Sequence, residues 1–343
     1  MDRLTLIDAR AADRPETGGV ERWARELATR LPALRSESYR VASPGERYSH
    51  RLGQVWEQAV LPRVARRQGA DVLLCPANLA PLRSDINVVV IHDLAPLRFP
   101  KDFSPAYTAW HRYLIPRISR KALRVIVPSE FSKSELVDCC EIARDQIAVV
   151  EPGVPDDIFT GGDVEAVRTK FGLTKPYVLT VASKVRRKNL AALIPVATEL
   201  AKSGIEVVAA GGTRPHLGDA TGLGSVRELG PVAAADLPGL YGGAAAFVLP
   251  SRYEGFGLPV CEAMASGVPV VTTTAASLPE AAGGAALLVD PDDQDGLIKA
   301  TLSLVSDGEL GKDLVARGAA RVAGLTWQRT AERVDAVIQA LEV

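Results

Sequence analysis

The sequence predicts an α/β protein in which two domains each contain a mostly parallel β-sheet. Three observations support this fold class. Short β-branched runs alternate with amphipathic helical patterns along the whole chain, as is typical of parallel α/β architecture. At 343 residues the chain exceeds the size that one hydrophobic core usually serves. The stretch 152–165 contains two Pro, three Gly and four acidic residues, which is the composition of a linker.

Short apolar runs predict five β-strands in each half of the chain. The runs are 4–9, 71–75, 86–91, 124–127 and 147–151, then 177–183, 205–212, 246–250, 268–273 and 285–290. Helical patterns follow most of them. In 20–31, for example, Trp23, Leu27 and Leu31 share one face and arginines occupy the opposite face.

We therefore predict an N-terminal domain over 1–155 and a C-terminal domain over 156–326. The final segment, 327–343, has the amphipathic pattern of a helix, which leaves both domains open as its packing partner, a return to the N-terminal domain included. Parallel sheets of this kind bind ligands beyond the carboxyl ends of their strands. We expect a ligand cleft between the two domains, lined by the loops that follow the strands.

Composition excludes several functional classes. The formal charge is 40 − 41 = −1, which argues against a protein that binds nucleic acid over its whole surface. The four cysteines show no metal-binding spacing, so we interpret them as reduced thiols of a cytoplasmic protein. The N-terminus lacks the apolar run of a signal peptide, and no stretch approaches the ~20 apolar residues of a membrane span. Peripheral contact with the inner face of a membrane stays open.

Two features of the first half follow strands. Gly18 and Gly19 precede a helix, where a bare backbone lets a phosphate or sugar approach the helix N-terminus; an ordinary flexible loop is the alternative. His92 stands directly at a strand end, where an imidazole can bind a substrate hydroxyl or take part in proton transfer. A loop histidine with a structural partner explains the same pattern.

A basic loop opens the C-terminal domain. Ser183 ends a strand, and Arg187 and Lys188 follow before a helix. Cations near a helix N-terminus are unfavourable for the helix dipole, so a compensating anion is expected. A diphosphate suits the forked guanidinium and the point charge of the ammonium. The alternative is a solvated basic loop.

Two carboxylates flank a glycine turn in 251–267. Glu254 lies in the turn, Gly255, Phe256 and Gly257 follow, and Glu262 lies about one turn into the next helix. Ionised carboxylates accept hydrogen bonds from pairs of vicinal hydroxyls, which is how sugars and ribose are held. The alternative is that one glutamate favours the helix start and the other is a solvated helix residue.

The span 103–129 is a candidate interaction surface centred on 110–124. It contains no Asp or Glu, Trp110 and Tyr113 lie among its cations, and the cations are Arg112, Arg117, Arg120, Lys121 and Arg124. Such a surface suits an anionic lipid-linked or pyrophosphate-bearing acceptor. A solvated helix face is the alternative, and Pro116 interrupts the amphipathic stripe.

In their order along the chain, these motifs resemble the retaining GT-B glycosyltransferases with the Glu-x7-Glu signature, the group 1 family of mannosyl-, glucosyl- and rhamnosyltransferases. The resemblance covers nearly the whole chain: "HDLAPLRFP" from His92, "VIVPSEFSKSELV", "RRKNL", and above all the block 226–291. It implies a GT-B fold, in which two Rossmann-like domains face each other across a ligand cleft.

The resemblance also implies roles for residues of the C-terminal domain. Glu254 would contact hydroxyls of the donor sugar and Glu262 the ribose. Arg187 and Lys188 would neutralise the diphosphate leaving group. The backbone N–H groups that would face the sugar and the diphosphate belong to Gly255, Phe256, Gly257 and Leu258.

The remaining implied roles concern both domains. The Gly18–Gly19 loop would lie near the phosphates and the acceptor, and His92 would reach the donor sugar near the reacting carbon. Backbone around Pro231 and Val232 would hold the nucleobase. Ser183 stands where many members of the family carry an arginine.

The predicted function is transfer of a hexose from a nucleotide-diphosphate sugar to an acceptor hydroxyl, with retention of configuration. GDP-mannose or a UDP- or dTDP-hexose is the expected donor, and polysaccharide, glycolipid or glycoconjugate biosynthesis the expected setting. We expect no metal and no cofactor besides the donor. A GT-B nucleotide-sugar epimerase or phosphorylase is the first alternative, and a non-catalytic sugar-binding protein the second. The donor base, the acceptor, the linkage and the oligomeric state are left open.

Overall fold

The computed structural model describes residues 3–14, 18–44, 52–212 and 222–342. The chain divides into two compact units. The first comprises Met1–Arg98, Thr108–Gly153 and Trp327–Val343, and the second Phe99–Tyr107 and Val154–Thr326. Each unit contains one six-stranded sheet in which every strand pair is parallel, so the predicted α/β class with two parallel sheets is confirmed.

The sheet of the first unit has the order β2-β1-β3-β4-β5-β6. Its strands are β1 Thr5–Asp8, β2 Tyr39–Ala42, β3 Val72–Cys75, β4 Asn87–Val90, β5 Arg124–Val127 and β6 Ile147–Val149. The strands β1, β3 and β4 are buried on both faces, as expected for a parallel sheet covered by helices. Because all strands are parallel, the loops after β1 and β4 leave the same edge of the sheet.

The sheet of the second unit has the order β12-β11-β10-β7-β8-β9. Its strands are β7 Tyr177–Val181, β8 Glu206–Ala210, β9 Arg227–Gly230, β10 Ala246–Leu249, β11 Val270–Thr273 and β12 Leu287–Val289. The loops that follow β7, β9 and β10 contain the basic loop, Pro231 and Glu254 respectively. The parallel topology therefore places them at one edge of this sheet.

Two of these strands, β2 and β9, were not predicted from the sequence. Both are edge strands, and each has exposed or half-buried positions. An edge strand has one pairing partner and need not be apolar on both faces. The strands β2 (Tyr-Arg-Val-Ala) and β9 (Arg-Glu-Leu-Gly) contain charged residues, whereas the other two edge strands, β6 and β12, keep apolar runs and were predicted.

The helices lie between the strands in the usual α/β order. The first unit contains α1 Gly19–Leu34, α2 (Gly53–Val55, then a π-helical segment Trp56–Val60, then Leu61–Gln68), α3 Ala95–Arg98, α4 Pro105–Lys121 and α5 Glu130–Cys140. The second unit contains α6 Asp156–Thr160, α7 Val164–Phe171, α8 Leu193–Ala201, α9 Leu237–Gly242, α10 Leu258–Ala265, α11 Leu278–Ala282, α12 Gln294–Ser306 and α13 Gly308–Val322. Short 3-10 turns occur at Pro100–Asp102, Arg144–Gln146, Arg186–Lys188, Leu190–Ala192 and Ala234–Asp236. The first three residues of α4 belong to the second unit.

The final helix, α14 (Trp327–Gln339), packs in the first unit. Trp327 is fully buried and meets Trp23 of α1 edge to face, with ring centroids 5.6 Å apart. Asp335 accepts hydrogen bonds from the Tyr39 hydroxyl at 2.7 Å and the Arg35 guanidinium at 2.9 Å. An apolar stripe and several polar contacts, among them those of Asp335, thus attach the final helix to the first unit.

The segment Phe99–Tyr107 differs from the predicted domain division. The sequence assigns it to the N-terminal domain, whereas its contacts place it in the second unit. The rings of Phe99 and Tyr253 lie 5.2 Å apart, and the buried Asp102 bonds to the backbone of Arg187. Aromatic packing and a buried hydrogen bond attach the segment to the second unit, although the chain before and after it belongs to the first.

Candidate active site

A buried ion pair lies at the carboxyl edge of the second sheet. The Lys188 ammonium donates to both carboxylate oxygens of Glu254, each at 2.6 Å. The two side chains are 14% and 10% exposed, so the pair is largely shielded from water. Removing one partner from such a pair leaves an uncompensated buried charge, whose cost is about 3–5 kcal/mol. Two of the predicted site residues, 66 positions apart, are therefore brought into direct contact.

The loop that carries Glu254 is fixed by three hydroxyl groups. The Ser251 hydroxyl donates to Glu254 Oε1 at 2.8 Å, and the Ser277 hydroxyl donates to the Glu254 carbonyl at 2.9 Å. Thr273, at the end of β11, donates to the carbonyl of Ser251 at 2.6 Å. The carboxylate thus has a defined position before any ligand binds.

The glycine turn after Glu254 leads directly into α10. Gly257 has φ +102° and forms the N-terminal boundary of the helix. A Cβ at this position would lie 2.8 Å from a methyl carbon of Leu278, so both the backbone angle and the space favour glycine. Leu258 is the first helical residue, and Pro259 follows in the first turn, where its missing N–H costs nothing.

Glu262 lies in the buried face of α10. Its Oε2 accepts a hydrogen bond of 2.8 Å from the hydroxyl of Tyr241, a fully buried residue of α9. Tyr241 was not predicted from the sequence, because it lies in an apolar run and resembles an ordinary core aromatic. The structure therefore gives the second glutamate a partner of its own, separate from the Lys188–Glu254 pair.

Arg187 combines a fixed backbone with an unsatisfied side chain. Its N–H donates to Asp102 Oδ2 at 3.1 Å, and its carbonyl accepts from the Arg252 N–H at 2.8 Å. Its Nε and Nη1 atoms are buried without a hydrogen-bond partner among the described residues. Two buried N–H groups without an acceptor are costly, and an anion is the acceptor that a guanidinium binds most strongly.

Ser183, Pro231 and Val232 lie on neighbouring loops at the same edge of the sheet. Gly211, after β8, has φ +134°, and a Cβ there would lie 2.1 Å from the carbonyl oxygen of Ala182. A Cβ on Gly212 would lie 2.9 Å from the ring of Pro231. These close approaches hold the loops after β7, β8 and β9 together, although residues 213–221 lie outside the described residues.

In the first unit, Gly18 precedes α1 and Gly19 is its first residue. The Gly18 N–H donates to Oε2 of Glu21 at 3.1 Å, and Arg14 lies 3.3 Å from the other carboxylate oxygen. Glu21 is 1% exposed. The protein's own carboxylate therefore occupies one of the donors at the helix start. Residues 15–17, just before this loop, lie outside the described residues.

His92 follows β4 in the first unit. Its Nε2 lies 2.8 Å from the carbonyl oxygen of Pro76, which requires a hydrogen on Nε2 and leaves Nδ1 as the acceptor nitrogen. Its backbone N–H donates to the Asn78 side chain at 2.8 Å, and Trp23 packs edge-on at 5.5 Å. Burial lowers the pKa of His92 from its usual 6.5, against the opposing effects of the Pro76 hydrogen bond and the Asp93 charge. The ring is thus held neutral and oriented.

The acidic stretch after β12 contains an Asp-x-Asp spacing, Asp290-Pro291-Asp292. Asp290 accepts the N–H of Asp292 at 2.8 Å, Asp292 pairs with Arg252 at 2.7 Å, and Asp293 caps α12 through the Gly296 N–H at 2.8 Å. These carboxylates serve the loop and the helix start. Within the described ranges, no group of three or more His, Cys, Asp or Glu side chains is arranged to hold a metal ion.

Solved structures share this fold. Sucrose-phosphate synthase from Thermosynechococcus elongatus superposes with a TM-score of 0.73 at 19% identity, covering 99% of both chains. Anabaena HepE in complex with UDP-glucose superposes with a TM-score of 0.70 at 17% identity, covering 98% of this chain and 99% of HepE. The fold is GT-B, built from two Rossmann-like domains, as the sequence resemblance predicted.

Family models and relatives identify the class of protein. The model for Glycosyltransferase Family 4 matches residues 17–158, and the model for glycosyl transferases group 1 matches residues 175–307. The chain is 30% identical over 279 residues to O-antigen chain mannosyltransferase B of Escherichia coli, covering 76% of this chain and 72% of that protein. It is 26% identical to the serotype-specific mannosyltransferase WbdA of Escherichia coli, over 75% of this chain but about a third of WbdA (33%).

The chain belongs to the group 1 glycosyltransferases. Its activity class is therefore glycosyl transfer, and the predicted family is confirmed. None of the helices in the described part of the chain is both long and apolar enough to cross a membrane.

Proposed function

We propose that this glycosyltransferase moves a hexose from a nucleotide-diphosphate sugar to a hydroxyl of a polysaccharide or glycolipid acceptor, with retention of configuration. Mannose is the first candidate sugar, because both relatives described above are named mannosyltransferases. A UDP-hexose is the second, because HepE was solved with UDP-glucose. We propose guanine, or a pyrimidine such as uracil or thymine, as the base of the donor nucleotide.

The observation that carries the proposal is the arrangement of Lys188, Glu254 and Arg187. The ammonium of Lys188 is paired with a carboxylate that can also accept bonds from sugar hydroxyls. The guanidinium of Arg187 has buried donors without a protein partner. A sugar diphosphate satisfies all three groups at once, since its phosphates meet the cations and its hydroxyls meet the carboxylate.

The remaining residues of the second unit would hold the nucleotide. Glu262, whose carboxylate accepts the Tyr241 hydroxyl, would accept the ribose hydroxyls. Ser183 and the backbone of Pro231 and Val232 would line the nucleobase site. The N–H groups at the start of α10, from Gly255, Phe256, Gly257 and Leu258, would face the sugar and diphosphate.

In the proposed step, the bond between the anomeric carbon and the donor phosphate oxygen breaks, and the acceptor oxygen bonds to that carbon on the same face. The acceptor proton goes to the departing phosphate oxygen, and the nucleoside diphosphate leaves. The cations and the helix N-terminus stabilise the negative charge that develops on the leaving group. We propose that these fixed charges serve the role that a metal ion serves in other phosphate sites.

For the first unit we propose roles at the reacting end of the donor and for the acceptor. His92 would accept a hydrogen bond from a sugar hydroxyl through Nδ1, because Nε2 is committed to Pro76. The Gly18–Gly19 loop would let the acceptor or a phosphate approach the start of α1. The buried Glu21 carboxylate at that helix start favours a hydroxyl-bearing acceptor over a phosphate.

A thermal-shift screen with GDP-, UDP-, dTDP- and ADP-sugars tests the donor site. One nucleotide class should stabilise the wild-type protein, and Lys188→Ala should abolish the response. Lys202→Ala is the matched control, because Lys202 is an exposed lysine of the same unit whose partner among the described residues is its neighbour Glu199. No stabilisation by any of the four would contradict the proposed function.

Product analysis separates the alternatives. A transferase consumes the donor only when an acceptor is present. An epimerase converts the sugar without acceptor, a phosphorylase requires inorganic phosphate, and a binding protein gives a thermal shift without turnover. Retention is checked by the anomeric configuration of the product in NMR.

A surface of the first unit supports a membrane-bound acceptor. Trp110 and Tyr113 of α4 are exposed, and Trp110 donates a 2.9 Å hydrogen bond to Gln54, which lies beside the exposed Leu52 and Val55 of the α2 region. The exposed arginines of the two helices that make no ion pair to a described residue are Arg63, Arg66, Arg67, Arg112 and Arg117. Exposed apolar side chains and exposed arginines on the same two helices fit an anionic lipid surface.

Sedimentation with vesicles tests this surface. The protein should bind vesicles rich in phosphatidylglycerol and not vesicles of phosphatidylcholine alone. The double substitution Trp110→Ser with Tyr113→Ser should reduce binding about tenfold or more, since each exposed aromatic buries apolar area in the interface. Equal binding of wild type and variant would contradict the proposal.

A further inference from the structure

The segment Phe99–Tyr107 is built into the second unit, although the chain on either side of it belongs to the first. Three of its side chains reach the proposed donor loops. Phe99 packs on Tyr253, next to Glu254, with ring centroids 5.2 Å apart. Phe103 lies 6.0 Å from the guanidinium carbon of Arg187, and Asp102 bonds to the Arg187 backbone.

The Arg187 backbone is held from both sides. Its N–H donates to Asp102 at 3.1 Å and its carbonyl accepts from Arg252 at 2.8 Å. These bonds fix the residue between the segment 99–107 and the loop that carries Glu254. The side-chain atoms Nε and Nη1 are left without a partner in the described structure.

The bonding of Asp102 is unusual for a buried carboxylate beside an arginine. Asp102 is 2% exposed, and a forked ion pair with the guanidinium would be its strongest available contact. It instead accepts the main-chain N–H of Arg187. As a result, Asp102 fixes the backbone of Arg187 without using the N–H groups of its guanidinium.

We propose that Asp102 is a positioning residue for Arg187: by accepting the Arg187 N–H, it holds the guanidinium where it meets the donor diphosphate. The inference rests on the proposed function, because it needs Arg187 to contact the diphosphate. Its physical basis is preorganisation, since a cation held in place before binding loses less conformational freedom when the anion arrives.

A double-mutant cycle tests the inference. The dissociation constants of UDP and GDP are measured by calorimetry for the wild type, Asp102→Ala, Arg187→Ala and the double variant, and kcat and KM are measured with the donor that responds. Asp102→Ala should weaken nucleotide binding about tenfold, the loss of one charged hydrogen bond. The double variant should bind no more weakly than Arg187→Ala alone, because Asp102 acts only through Arg187.

Two further variants separate positioning from general stability. Asp102→Asn keeps an oxygen acceptor and should restore binding to within about twofold of wild type. Asp163→Ala is the matched control: Asp163 also accepts a main-chain N–H in the second unit, from Ala166 at 2.9 Å, and its loss should leave the dissociation constant unchanged. If Asp102→Ala does not fold, Asp102→Ser takes its place in the cycle.

The outcomes are distinct. Additive losses in the double variant, or a dissociation constant of Asp102→Asn as weak as that of Asp102→Ala, would overturn the positioning role and leave the proposed function standing. A wild-type protein that binds neither nucleotide and is stabilised by none of the four nucleotide sugars would overturn the proposed function and this inference with it.

Discussion

The proposed site residues of the two units are held in different ways. In the second unit, Lys188 and Glu254 are bonded to each other at 2.6 Å. In the first unit, His92 is bonded to its own scaffold, through the carbonyl of Pro76 and the side chain of Asn78. One unit thus presents paired charges and the other a neutral ring of fixed orientation.

The difference follows from the cost of burying charge. A buried ammonium and carboxylate must each have a partner in the empty site, and a bound sugar diphosphate can replace part of that pairing. A neutral imidazole needs only one hydrogen bond to fix its ring. Substitutions in the second unit should therefore alter donor binding, and substitutions at His92 should alter turnover.

The largest effect is expected for Lys188→Ala. Losing a fixed cation at the leaving group should reduce kcat/KM by about 10²–10³-fold. The substitution also leaves Glu254, 8% exposed, without its counter-charge, so the free energy of unfolding should fall by about 3–5 kcal/mol. Steady-state kinetics and denaturant unfolding measure the two effects.

The double variant Lys188→Ala with Glu254→Gln separates stability from catalysis. Removing both charges should recover most of the free energy of unfolding but none of the activity. Recovery of donor binding together with stability would mean that the ion pair only supports the fold.

A smaller effect is expected at the second glutamate. Glu262→Gln should weaken nucleotide binding about ten- to thirtyfold, because a carboxylate that accepts ribose hydroxyls becomes a neutral amide. Tyr241→Phe removes the 2.8 Å bond that orients the carboxylate and should weaken binding about three- to tenfold. Calorimetry with the nucleoside diphosphate measures both. Unchanged binding in Glu262→Gln would remove this residue from the proposed site.

The fold was largely predictable because its signals are local. Ten strands carry apolar runs that the sequence displays directly. The edge strands β2 and β9 carry no such run, because charged residues interrupt them, and an edge strand tolerates such residues. The sequence also does not predict that Phe99–Tyr107 belongs to the second unit, because the composition of this segment does not differ from that of the residues on either side.

The site was predictable by residue type but not by pairing. Lys188 and Glu254 could be selected from motifs, yet their direct contact joins residues 66 positions apart. Tyr241 and Asp102 were missed because a tyrosine in an apolar run and an acid in a short polar stretch are common in any sequence. Their importance depends on neighbours 21 and 85 positions away, and only the folded chain defines these.

In the first unit, His92→Ala is expected to reduce kcat about tenfold or more while the dissociation constant of the nucleoside diphosphate stays within about twofold of wild type. His92→Gln, whose amide can still donate to Pro76, should retain more stability than His92→Ala with a similar loss of kcat. A donor affinity that falls as steeply as in Lys188→Ala would mean that the two units do not divide binding and turnover.

The smallest effect concerns the pH dependence of stability. Burial lowers the pKa of His92 from 6.5 in the folded protein, so between the folded and unfolded pKa values the unfolded chain binds a proton that the folded chain does not. The free energy of unfolding therefore rises with pH across that window. It stops changing with the titration of His92 well above pH 6.5, where the ring is neutral in both states. On acidification from pH 7 to pH 5, wild type should lose roughly 1–2 °C more in Tm than His92→Gln, in which this proton uptake is absent. Calorimetric scans of both proteins at matched ionic strength measure the difference. If Tm depends on pH equally in both proteins, the pKa of His92 is the same in the folded and unfolded states. The proposed contrast between a neutral, fixed imidazole in the first unit and a charged pair in the second would then be wrong.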